Sequence, residues 1–136
     1  MPRKQAKQPK LKERDIQHQC VEWFRAEHPG WIIFSCPNEA ARTRFSVYEY
    51  SGALKGAPDT VVVMPCGVFF VEFKARYGKQ SPEQVVFGEN CKELGVGYHV
   101  CRSLDEFKAA IAAEQERFAK DAFSGCLTLT EVPKFY

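Results

Sequence analysis

Asp59, Glu72 and Lys74 are the residues of this 136-residue chain whose types and spacing could do chemistry together. Asp59 opens the apolar run Thr60–Met64, and Glu72 and Lys74 close the run Val68–Lys74 beyond a Pro65-Cys66-Gly67 turn. The two runs read as a hairpin. On its second strand Val68, Phe70, Glu72 and Lys74 share one face, and Phe69, Val71 and Phe73 share the other. Both faces are apolar for most of the length, which predicts a central strand covered on both sides. A two-residue loop at Pro65-Cys66 sets Met64 opposite Gly67 and Asp59 opposite Glu72, with Cβ atoms about 4.5–5.5 Å apart. Two carboxylates that close repel unless a divalent cation lies between them, which makes a Mg²⁺-type site. A three-residue loop including Gly67 would shift the register and separate them unless a bulge compensates. Lys74, on the face of Glu72, could orient and stabilise a metal-activated hydroxide, as phosphodiester hydrolysis requires. Singly, each residue has a plainer reading: a strand-end ion pair for Glu72 and Lys74, a turn residue after proline for Asp59.

These residues need elements to position them. Ile16, Cys20, Trp23/Phe24 and Glu27 mark one face of a helix over about Glu13–Glu27, stopped by Pro29-Gly30. Trp31–Cys36 reads as a buried strand. Glu39–Lys55 has no clear period and reads as a long loop, or a short helix plus loop, of the kind that usually carries function. Ser81-Pro82-Glu83-Gln84 is a helix start: Ser81 caps, Pro82 suits the first helical position and Gln84 completes a capping box. That helix uses Phe87, Cys91 and Leu94 and ends at Gly95. A short strand, Val96–Cys101, follows. The last helix, opened by Ser103-x-x-Glu106, uses Leu104, Phe107, Ile111 and Phe118. The order is that of a mixed α/β domain.

The formal net charge is only +2, but it is unevenly spread. Residues 1–14 hold six bases against one acid, leaving 13 bases and 16 acids to the rest. A basic arm over residues 1–12 cannot bury apolar surface and suits a polyanion, because each cation that meets a phosphate releases a counterion. A domain over 13–118 and a C-terminal extension over 119–136 complete the organisation. No apolar run is long enough to span a bilayer and no secretory signal follows the N-terminal lysines, so a cytoplasmic protein is expected. The six cysteines have no CxxC spacing, and the three histidines have no partner at metal-ligand spacing. Reduced thiols are expected, and zinc is not.

Pro58-Asp59 followed by Glu72-Phe73-Lys74 resembles the signature of the PD-(D/E)xK nucleases. The wider string, Gly56-Ala57-Pro58-Asp59, Glu72-Phe73-Lys74 and Gly78-Lys79-x-Ser81-x-x-Gln84, resembles their VRR-NUC branch more closely. The resemblance spans about Glu13 to Ile111. It implies a restriction-endonuclease-like α-β-β-β-α-β core, with a central mixed sheet flanked by helices. It also implies that Asp59, Glu72 and the backbone carbonyl of Phe73 hold Mg²⁺ or Mn²⁺. Lys74 would position the attacking water, and Gln84 would point into the site from its helix, where the capping box competes for the same side chain. Glu13 would supply the acid of the first helix, although a first-turn glutamate is also favoured by the helix dipole.

The function implied is a metal-dependent DNA endonuclease, structure-directed (branched or junction DNA) over sequence-specific. The alternative is a non-catalytic nucleic-acid-binding module on the same fold. Arg42, Arg44, Lys55 and Lys79 would contact DNA phosphates, which position a substrate without reading its sequence. Asn38 matches a position where the family often has Asn near the DNA, while the aromatic run Phe45–Tyr50 departs from a more basic loop. Stand-alone members tend to be phage or bacterial proteins and are similar to junction resolvases in forming homodimers.

Overall fold

The structure is a computed structural model and describes residues 10–36, 52–65 and 67–123. Its elements are α1 (Glu13–Glu27), β1 (Ile32–Ser35), β2 (Thr60–Met64), β3 (Gly67–Phe73), α2 (Pro82–Glu93), β4 (Gly97–Cys101) and α3 (Leu104–Phe123). The strands form one sheet in the order β1-β2-β3-β4. β1/β2 and β2/β3 are antiparallel, and β3/β4 is parallel. The parallel pair requires a crossover, which α2 supplies. This is the mixed-sheet α/β core implied by the resemblance. No helix among the described residues is long and apolar enough to cross a membrane.

The spacing that predicts α1 is the spacing it buries: Ile16, Cys20 and Phe24 lie four residues apart on its inner face. Glu13 and Asp15 in the first turn complement the helix dipole. The helix closes where His28 N–H donates to Phe24 O at 2.8 Å, just before Pro29. The core lies between the sheet and α1 with α3. Phe24, Phe69, Phe73 and Phe107 are fully buried there, together with Ile33, Val62, Val71 and Ile111. Each such side chain contributes about 1.5–3 kcal/mol of hydrophobic stabilisation.

The hairpin turns in two residues, pairing Met64 with Gly67 and Thr60 with Val71. The tight turn is packed from below. A methyl group on Gly67 would lie 2.0 Å from the Phe118 ring of α3, so any larger residue there would force that ring to move.

Three expectations are corrected. β3 is central, but only its core face is fully covered; on the other face Val68 is 43% exposed and Phe70 is half-buried. α2 covers that second face only in part, with Phe87 edge-on to Phe70 at 5.4 Å between ring centroids. β1 is an edge strand in which only Ile33 is buried, and Phe34 is half in solvent. Leu94 lies beyond the last turn of α2 and is exposed, because Gly95 reverses the chain before Leu94 can reach the sheet.

Glu114, at a core position of α3 between Ile111 and Phe118, is buried. Its charge is matched: Arg117 Nη2 lies 2.7 Å from one oxygen and His99 Nε2 lies 2.8 Å from the other. α3 runs on past residue 118 to Phe123. The described cysteines Cys20, Cys36, Cys91 and Cys101 are free. Burial pushes the Cys20 and Cys101 thiols up to about 12, which keeps them neutral.

Candidate active site

The site forms where the hairpin ladder ends. Continuing the register one residue past Thr60 and Val71 sets Asp59 opposite Glu72. Asp59 then takes over the ladder with its side chain: its Oδ2 accepts the Phe73 backbone N–H at 2.7 Å. Its main-chain carbonyl accepts Cys36 N–H at 2.8 Å, which ties the end of β1 to the same point. Upstream, Gly56 has φ +85°, and a Cβ there would lie 2.5 Å from the backbone of Glu83. Glycine before Pro58-Asp59 therefore lets this segment pass against the first turn of α2.

Glu72 is only 1% exposed. Its Oε1 accepts Gln84 Nε2 at 2.6 Å, and the Lys74 ammonium lies 3.5 Å away. Its Oε2 is buried with no hydrogen-bond partner among the described residues. Burial, followed by the neighbouring Asp59 charge, raises the Glu72 carboxyl to about 8 against the opposing pull of Lys74. Asp59 is raised as well, chiefly by burial, with the Phe73 N–H bond working against the shift.

Lys74 is nearly buried. Its backbone N–H donates to Cys101 O at 3.0 Å, and its ammonium sits between Glu72 and Glu13, 3.9 Å from the latter. The first residue of α1 and the end of β3 thus meet at one ammonium group.

Gln84 does not have to choose between its two roles. Its Oε1 accepts Ser81 N–H at 2.8 Å, its backbone N–H donates to Ser81 Oγ at 3.2 Å, and its Nε2 reaches Glu72. One end of the amide caps α2 and the other grips the carboxylate.

The structure therefore brings Asp59, Glu72, Lys74, Gln84 and Glu13 together. Lys79 is exposed in the loop before α2. Lys55 is exposed and paired with Glu83 at 2.8 Å, at the start of α2. Asn38, Arg42, Arg44 and the run Phe45–Tyr50 lie outside the described residues.

Sequence reasoning misses several residues next to the site. The Cys36 thiol is raised by burial and by the Asp59 charge beside it. Tyr98 on β4 is pushed up to about 12 by burial and by Glu72, and its hydroxyl accepts Gln80 Nε2 at 3.1 Å. Arg102 Nη1 donates to the carbonyls of Ala75 and Gly78, at 2.7 and 2.6 Å, in the loop after Lys74. Only the Gly78-Lys79-x-Ser81 string signals this loop in the sequence. Cys36, Tyr98 and Arg102 lie far along the chain from the groups they touch, and nothing local marks them.

The donor set suits a hard divalent cation: two adjacent carboxylates, one buried oxygen without a partner, and strong mutual repulsion if both are charged. Among the described residues no third His, Cys, Asp or Glu completes a side-chain cluster. Such an ion would fill its shell with backbone oxygen, water or substrate, as Mg²⁺ commonly does. No curated protein matches the chain. The VRR-NUC domain matches residues 3–105, from within the basic arm to the first turn of α3 and across every residue of the site. The chain belongs to the VRR-NUC family of nuclease domains.

Proposed function

We propose that this domain is a metal-dependent endonuclease that hydrolyses DNA phosphodiester bonds and selects DNA by structure over sequence. The observation that carries the reading is the buried, unpartnered Oε2 of Glu72 beside Asp59, with the Lys74 ammonium 3.5 Å from the other oxygen. Asp59 and Glu72, with the backbone carbonyl of Phe73, would hold Mg²⁺ or Mn²⁺. The ion would supply Lewis acidity at the phosphate and a lowered pKa for attacking water.

The chain's own residues do the rest. Gln84 locks the Glu72 carboxylate in one orientation, which fixes where its second oxygen points. Lys74 orients the attacking water and balances the charge that builds on the phosphate oxygens. Glu13, 3.9 Å from the Lys74 ammonium, helps to aim it. Lys79, Arg42, Arg44, Lys55 and the basic arm engage phosphates, with Asn38 near the strand, and none of these contacts specifies sequence. A homodimer would present two such sites to two strands.

The test is nicking of plasmid and branched DNA in Mg²⁺, Mn²⁺ or EDTA by wild type and Lys74→Ala. Cutting that needs the metal and falls by roughly 100-fold or more in Lys74→Ala, the scale of one missing charge-stabilising donor, supports the reading. Cutting in EDTA, or full activity in Lys74→Ala, defeats it. Tight DNA binding without cutting under any metal identifies a binding module.

A further inference from the structure

The chain leaves the site through a turn that is unusually well held. Gly78 N–H donates to Ala75 O at 2.9 Å, closing a four-residue turn with Arg76 and Tyr77 at its centre. Both end carbonyls also accept Arg102 Nη1, which reaches across from the β4–α3 connection. A methyl on Gly78 would lie 3.2 Å from Glu13 Oε1, so the turn rests against the start of α1. The tip carries Tyr77, 70% exposed. The Lys10 ammonium and the Arg76 guanidinium lie over its ring, 5.5 and 5.4 Å from the centroid, as exposed cations that a stacked base would displace. The third position of a turn favours Gly, Asn, Asp or Ser, so a tyrosine has no local conformational reason to stand there. Burial does not explain it either.

Resting on the nuclease reading, we infer that Tyr77 is a stacking platform for an unpaired base next to the scissile phosphate. It stands three positions after Lys74, and a chain spans at most about 3.3–3.6 Å per residue, so the two Cα atoms are within about 11 Å. Stacked bases rise about 3.4 Å per step, so the backbone of the turn lies within about three base steps of Lys74 and the ring can meet one of the first few nucleotides from the cut. Phosphate contacts from Lys10, Arg76 and Lys79 cannot distinguish paired from unpaired DNA. An exposed aromatic face can, because a base must leave its duplex stack to cover it. The Arg102 clamp holds the backbone of the turn before the substrate arrives, so only the Tyr77 side chain is left to order on binding. The site therefore prefers DNA with at least one unpaired base beside the cut.

The experiment compares a blunt duplex with the same duplex carrying a short single-stranded extension, for wild type, Tyr77→Ala, Tyr77→Phe and Tyr77→Trp. The ring is in solvent, so these variants should fold alike. Tyr77→Ala is expected to lose about 5- to 150-fold in kcat/KM on the extended substrate, mostly through KM, with duplex cutting unchanged. Phe and Trp should restore it. With Ca²⁺ in place of Mg²⁺, 2-aminopurine in the first unpaired positions should be quenched by wild type and not by Tyr77→Ala. Equal loss on both substrates, or equal quenching by both proteins, overturns the inference. A wild type that cuts no DNA under any metal defeats the nuclease reading instead, and the quenching comparison still decides the role of Tyr77.

Discussion

Without metal, the Asp59–Glu72 pair should penalise the fold as pH rises, and Glu72→Gln should remove most of that penalty. Glu72 titrates near its ordinary value of 4.5 when unfolded and near about 8 in the fold, raised by burial and by Asp59. Between those values the native state binds more protons than the unfolded chain, so stability is fully present below pH 4.5 and is lost as pH climbs through 8. At about 1.36 kcal/mol for each tenfold change in proton affinity, the loss is on the order of 5 kcal/mol, part of it shared with Asp59. Coulomb's law gives a similar scale: two like charges about 4–5 Å apart, at an effective dielectric near 20, repel by about 3–4 kcal/mol. Against a typical domain stability of about 5–15 kcal/mol this is a large term. In Glu72→Gln the amide oxygen can still accept Gln84 Nε2 and Lys74, while the new NH₂ can donate to Asp59. Urea denaturation in EDTA from about pH 5 to 9 measures the effect. Glu72→Gln should match wild type near pH 5 and exceed it by a few kcal/mol at pH 9, and added Mn²⁺ should restore only the wild type. A difference that does not change with pH, or a wild type more stable at pH 9, would refute the reasoning.

Three further outcomes follow from the packing and charge. Gln84→Leu should cost about 1–3 kcal/mol, because Ser81 N–H and Glu72 Oε1 are each left without this partner, whereas Gln84→Glu should keep the cap and sharpen the loss of stability at high pH in EDTA; urea midpoints separate the two. Gly67→Ala should destabilise by about 1–3 kcal/mol through its clash with the Phe118 ring, and Phe118→Leu in the same chain should recover part of it, as thermal unfolding would show. Deleting residues 1–12 removes five cations and should flatten log Kd against log salt by up to about 0.9 for each phosphate the arm no longer neutralises; an unchanged slope would make the arm a mere tail.

Much of the architecture can be read locally. Ile16, Cys20 and Phe24 with Pro29-Gly30 bound α1, and Ser81-Pro82-x-Gln84 starts α2, because helix faces and caps are short-range physics. Asp59, Glu72 and Lys74 are legible as a set for a similar reason: strand alternation puts two of them on one face, and a tight turn brings back the third. The turn length itself is not legible, since Pro65-Cys66-Gly67 allows either register; Phe118, on the last helix, presses on Gly67 in the two-residue form. Long-range partners hide elsewhere too. Glu114 has the spacing of a core residue and the chemistry of a surface one, and only His99 and Arg117 reconcile the two. Arg102 gives no local sign of the turn it clamps, and Leu94 continues an apolar period that Gly95 cuts short. Gln84 shows a different gap: two readings that compete on paper are served by opposite ends of one amide.

The most direct measurement is Mn²⁺ binding, by calorimetry or by disappearance of the free-ion spin-resonance signal, to wild type, Asp59→Asn and Glu72→Gln. Wild type should bind the ion with a midpoint that tightens as pH rises through the Glu72 titration, and each variant should lose that binding while remaining folded. Equal binding by all three proteins, or none by the wild type at any pH up to about 9, would contradict the assignment of Asp59 and Glu72 as the metal-holding pair.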